Sequence, residues 1–240
     1  MRSFSELVVV KAAFCVCLLL TRSVEGRNSD KIKAALEALD AIGYSESAGV
    51  MSIDGVLDRL RPPEITLAAK ARVLAGLPAE GEVMPSDAER RKLAALDSIL
   101  EYHRRNSVYA IKVIDVPQAC LAFHARAVLL ISENALHLLS VEELQAVAAH
   151  EIGHEYIWDE YQRAFDARNS RKLRELETRC DAIALVTLLR LELNPESLIS
   201  GISKLTRFNE RIGATANAGD YFPLKERIHA MRAIIEILNR

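Results

Sequence analysis

Residues 140–154 read SVEELQAVAAHEIGH. Ser140 followed three residues later by Glu143 is a capping box, in which each side chain serves the other's backbone N–H. It predicts a helix that opens at Val141 and runs to about Ile157. Positions i and i+4 of a helix share a face, so His150 and His154 point the same way. Two imidazoles at that spacing can hold one zinc ion, and Glu151 between them stands beside the coordination position left for water. With six histidines in 240 residues, chance assembly of this pattern deep in a capped helix is rare.

A catalytic zinc takes three protein ligands and keeps one position open, so the third ligand has to come from another element. The next long helical stretch, Ser170 to about Leu193, stops at Asn194-Pro195 and offers Glu175, Glu177 and Asp181. Glu177 and Asp181 lie at i and i+4. One of them can ligate while the other accepts a hydrogen bond from a ligand histidine and fixes its ring. Arg174, Glu175 and Arg179 are assigned to the solvated face.

Outward from this pair of helices the chain reads as mainly helical, with one β section. Residues 28–42 have helical spacing, 43–62 read as a connection with at most one turn of helix, and Glu64–Ala75 is helical up to Gly76. Ser86 and Glu89 form another capping box, predicting a helix from Asp87 to about Arg105. Val108–Val116, Cys120–Phe123 and Ala127–Ile131 are rich in β-branched and aromatic residues and predict three short strands. Pro195 suits the first turn of a helix over about 196–209, and a loop at 213–220 leads into a last helix, 224–238. The fold class is α+β, mainly α-helical, with a small sheet.

The first 26 residues differ from the rest. Arg2 and Lys11 precede an apolar run, Ala12–Leu20, and small residues follow. That is the pattern of a secretory signal peptide, with cleavage after Ser23 or Gly26. The run is shorter than the roughly 20 apolar residues a membrane span needs, so contact with a membrane is expected only if the segment stays uncleaved. The chain reads as 1–26 signal peptide, 27–105 N-terminal helical segment and 106–240 catalytic core, exported to a periplasmic or extracellular space. Without residues 1–26, 31 basic residues become 28 and 33 acidic residues become 31, a net charge of −3. That balance gives no reason to expect nucleic acid as a partner. Cys120 and Cys180 then remain, either as one disulfide or as two buried thiols.

Glu177-Thr178-Arg179-Cys180-Asp181 downstream of His150-Glu151-Ile152-Gly153-His154 resembles the ExxxD element of the M48 family of zinc metallopeptidases. Ala127–Ile131, Ala135-Leu136 and Val141–Ala149 resemble that family's strand, loop and active-site helix. Pro223–Ile228 resembles its segment before the last helix. The likeness covers about 105–238. Members usually carry Gly just before the strand matching 127–131, where His124-Ala125-Arg126 stands here. The resemblance implies a zincin-like core with one Zn2+ per chain held by His150, His154 and Glu177, Glu151 as catalytic base and Asp181 behind the ligands. Tyr221 is a candidate donor to the oxyanion, or else a packed loop aromatic. Arg227 is expected as an ion-pair partner, and His103, His124, His137 and His229 as ordinary surface or core residues. If 127–131 is the sheet's edge, an extended peptide can add to it. The implied activity is endopeptidase action on unfolded or misassembled exported polypeptides. The alternatives are a catalytically weak chaperone-like binding module and a different zinc hydrolase.

Overall fold

The structure, a computed structural model, describes residues 35, 37–41, 53–78, 81–214 and 223–239. The signal-peptide reading of 1–26, the start of the 28–42 helix and Tyr221 lie outside the described residues. Residues 35 and 37–41 are helical. The elements that follow are α1 (Ile53–Leu60), α2 (Leu67–Ala75), α3 (Asp87–Ala94), α4 (Asp97–Tyr102), β1 (Ala110–Ile114), β2 (Leu121–His124), β3 (Val128–Ser132), α5 (Glu133–Leu138), α6 (Val141–Tyr156), α7 (Trp158–Asp166), α8 (Ser170–Arg190), α9 (Glu196–Arg211) and α10 (Leu224–Leu238). The protein is mainly helical with one small sheet, as the sequence predicts. Among the described residues no helix is long and apolar enough to cross a membrane.

Both capping boxes form. The Ser86 and Ser140 side chains accept from the N–H groups of Glu89 and Glu143, whose carboxylates accept from the N–H groups of the two serines. The helix expected over 87–105 is divided, however. Ala95 and Leu96 donate to Lys92 and Leu93 through tighter i→i−3 bonds, and the chain redirects into α4. The redirection sends Leu96 into the cluster beneath the sheet and Ile99 and Leu100 into the main core. Burial of these side chains overrides a sequence without Gly or Pro to mark the break.

The sheet is mixed, in the order β1-β3-β2, with β1 parallel and β2 antiparallel to β3. β3, which would have to be the edge for a peptide to add to it, is therefore the middle strand, buried along its length. β1 has its outer side covered, because the Val83 N–H donates to the Val113 carbonyl and the Asp115 N–H to the Gly81 carbonyl. β2 packs against α6. β2 and β3 join through residues 125–127, in a tight turn centred on Ala125 (φ 48°) and Arg126 (φ 58°) and closed by the Ala127 N–H on the His124 carbonyl at 3.0 Å. Two left-handed residues match the twist of a hairpin, but without glycine they cost about 1–2 kcal/mol each.

Side chains of β1–β3 alternate between two faces. Val113, Leu121, Leu129 and Ile131 meet α5 and α6, whereas Ile114, Ala122, Val128 and Leu130 meet Val73, Leu74 and Leu77 around α2. The main core joins Ala35, Ala38, Leu39 and Leu57 to Ile183 and Val186 of α8 and Met231 and Ile234 of α10. The described part of the N-terminal segment thus shares its core with the rest. Cys120 and Cys180 are buried thiols in different clusters, not a disulfide.

Candidate metal centre

α6 and α8 approach closely. A Cβ on Gly153 would lie 3.0 Å from the Cα of Cys180, so only a glycine lets the two backbones meet at this point. The approach brings the carboxylates of α8 against the imidazoles of α6. Glu177 Oε2 is 3.3 Å from His150 Nε2, and Glu177 Oε1 is 3.5 Å from His154 Nε2. Asp181 Oδ1 is 2.9 Å from His150 Nδ1. With Nδ1–H given to Asp181, His150 presents Nε2 toward Glu177. Glu177 thus faces Nε2 and Asp181 faces Nδ1, two carboxylates that helical spacing alone does not tell apart.

Arg227 on α10 closes the arrangement. Its Nε and Nη2 donate to Asp181 Oδ2 at 2.9 Å and Oδ1 at 2.7 Å. That two-point grip immobilises the aspartate. The same Nη2 stands 3.3 Å from both ring nitrogens of His150 and 3.7 Å from Glu177 Oε2. Arg227 is the ion-pair partner the sequence predicts, now with a named carboxylate.

Burial pushes the Glu177 carboxyl up, but His154, His150 and Arg227 outweigh it and hold the group ionised below the usual range. Asp181 is held down to about 2, where burial is outweighed by Arg227 and His150. For His150, burial and Arg227 favour the neutral ring, yet bonds to Asp181 and Glu177 raise it to about 9. His154 is lowered to about 4, chiefly by burial. Burial raises the Glu151 carboxyl to about 7, with Glu177 adding and His150 opposing.

One buried oxygen is left over. Among the described residues Glu177 Oε1 has no hydrogen-bond partner, and an ionised oxygen in that condition costs about 1–3 kcal/mol or more. A cation between Glu177 and the two rings satisfies it. A ring nitrogen from each histidine and an oxygen of Glu151 also lie within 4.8 Å of one another. The group can therefore hold a metal ion. A second candidate, Glu89, Glu133 and His137, is accounted for without metal. Glu89 Oε2 serves the Ser86 cap and Oε1 the His137 ring.

Several contacts were not legible in the sequence. The Phe123 N–H of β2 donates to Glu151 Oε2 at 3.1 Å. The Tyr161 ring on α7 stands edge-on to His154 at 4.8 Å between centroids. Arg179 bonds Glu160 of α7 at 2.9 Å and is half-buried rather than solvated. His103 is fully buried, the core alternative of the two expected for it. His124 ends β2, half-buried. A main-chain donor has no side-chain signature, and the contacts of Tyr161 and Arg179 depend on how α7 folds back. No protein-family model and no curated protein matches this chain.

Proposed function

We propose that the protein is a zinc-dependent endopeptidase with a zincin-like core, of the M48 kind. His150, His154 and Glu177 hold one zinc, Glu151 is the base and Asp181 orients His150. The observation that carries this reading is the spacing of donor atoms. Ligands at about 2.0–2.1 Å around a tetrahedral ion stand about 3.3–3.4 Å apart, and the two imidazole–carboxylate separations are 3.3 and 3.5 Å. When bound, zinc lowers the pKa of water and polarises the scissile carbonyl.

Glu151 supplies the proton traffic. Its carboxylate, beside the coordination position left for water, can take a proton from the attacking water and return it to the leaving amine. The Phe123 N–H steadies it at 3.1 Å. Peptide binding follows from the corrected strand order. With β1 covered by residues 81–83 and β3 central, an extended chain adds along β2 through main-chain hydrogen bonds. Such binding depends little on side chains and suits unfolded or misassembled polypeptides. Export rests on the N-terminal sequence pattern.

The test is cleavage of an unfolded polypeptide by the zinc-supplemented protein and by Glu151→Gln. The variant is expected to be slower by about 10²–10⁴-fold, the usual worth of a general base, with zinc content unchanged. Equal rates would overturn the reading.

A further inference from the structure

We propose that Glu155, the residue after His154, is a positioning residue that locks the peptide-binding strand β2 in register with the helix carrying Glu151. The inference rests on the peptidase reading for its consequence, but not for its geometry.

The Glu155 side chain is fully buried, and three groups from three parts of the chain end on it. Arg105 Nε, from the segment after α4, donates to Oε2 at 2.7 Å. The Tyr109 hydroxyl, just before β1, donates to the same oxygen. Arg126 Nη2, from the β2–β3 turn, reaches Oε1 at 3.3 Å. The two guanidiniums extend the hub. Arg105 Nη2 donates to the Pro62 carbonyl at 2.7 Å, and Arg126 Nη2 donates to the Pro63 carbonyl. One carboxylate on α6 thus holds the end of β2, the approach to β1 and the connection between α1 and α2. A buried carboxylate is expensive unless several donors compensate it, so its placement among these three is a fixed point.

Phe123 and Arg126 lie three residues apart, and their partners on α6, Glu151 and Glu155, lie four apart on one helix face. The strand therefore runs alongside the helix with two ties, the Phe123 N–H on Glu151 and Arg126 on Glu155. The first tie belongs to the reacting site and the second does not. The left-handed Ala125-Arg126 turn is costly without glycine and is kept in place by the bonds of Arg126. Loosening the second tie slackens β2 against α6, and the edge along which a peptide would lie loses its fixed position.

The experiment compares wild type, Arg126→Gln and Glu155→Gln as full chains carrying one equivalent of zinc. Amide hydrogen exchange is read at Phe123, with the α6 interior amides as internal control. In both variants the Phe123 amide is expected to exchange about tenfold faster or more, while α6 stays protected. For a peptide long enough to lie along β2, KM is expected to rise about tenfold with kcat nearly unchanged. A residue that served stability alone would loosen α6 together with Phe123 and leave KM unmoved. Arg126 is partly exposed, so Arg126→Gln decides the matter if Glu155→Gln does not fold. Phe123 exchange at the wild-type rate in the folded variants would overturn the clamp. A wild type that cleaves no peptide would sink the peptidase reading and leave the exchange measurement to judge the clamp.

Discussion

At the scale of single residues, the site depends on which carboxylate of α8 faces which nitrogen of His150. Glu177 lies at Nε2 and Asp181 at Nδ1, so the two substitutions should differ. Glu177→Ala removes a direct ligand in the proposed centre. Zinc affinity, read by competition with a chelating dye, should fall by more than about a hundredfold. Asp181→Asn removes only the partner of a ligand and should cost about 10–100-fold. Unchanged affinity in Glu177→Ala would mean that another group is the third ligand. His150 and His154 were legible because their relation is local, one turn apart on one helix. Spacing alone presents the glutamate and aspartate only as a pair, because their separate roles depend on the angle at which α8 crosses α6; it is the family resemblance that implies Glu177 as ligand and Asp181 behind it. Arg227 could be read only as a charge seeking a partner.

Between elements, contact rather than propensity decides. α6 and α8 touch at Gly153 and Cys180, with backbone and side-chain atoms of Cys180 3.0–3.3 Å from a Cβ added to the glycine. Gly153→Ala should therefore cost about 1–3 kcal/mol, the usual penalty of overpacking, although alanine is the better helix former. A urea denaturation series would read this, and a more stable Gly153→Ala protein would refute the close approach. The same contrast explains the division at Ala95-Leu96. Residues 87–102 have helical propensity throughout, and two different clusters claim Leu96 and Ile99. Strand order belongs here too. Three apolar runs announce three strands, but each reads alike whether central or at the edge, so only its partners show that β3 is the central one.

For the whole molecule, the described N-terminal residues and the site share one framework, and a buried histidine stands at their junction. His103 Nδ1 is 2.8 Å from the Tyr156 hydroxyl and Nε2 is 3.1 Å from Thr187 Oγ1. Thr187 gives its own proton to the Ile183 carbonyl at 2.8 Å. Nε2 therefore carries the hydrogen, and Nδ1 accepts from Tyr156. A second proton on Nδ1 would force the Tyr156 hydroxyl to turn from donor to acceptor. Burial, with Arg61 and Arg105 near, lowers the group to about 3. As pH falls below the ordinary value of about 6.5, the unfolded chain takes up a proton that the folded one refuses until about pH 3. Stability conferred by the neutral ring is complete above pH 6.5 and is lost downward across that window, by about 1 kcal/mol per pH unit. Thermal melts of zinc-free protein between pH 7 and 4 should show a shallower decline for His103→Gln than for wild type. Parallel declines would refute this role.

The sequence by itself determined the helix that carries the two imidazoles, its cap, the count of strands and the carboxylate face of the next helix. All of these follow from spacings within one element and from propensities acting over a few residues. Only the tertiary structure decided that β3 is central, that Asp181 rather than Glu177 is gripped by Arg227, and that Glu155 gathers Arg105, Tyr109 and Arg126. The last two of these concern groups 29–50 positions apart in the chain. Their meeting is set by how layers pack and by where buried charge finds partners, which no local pattern encodes.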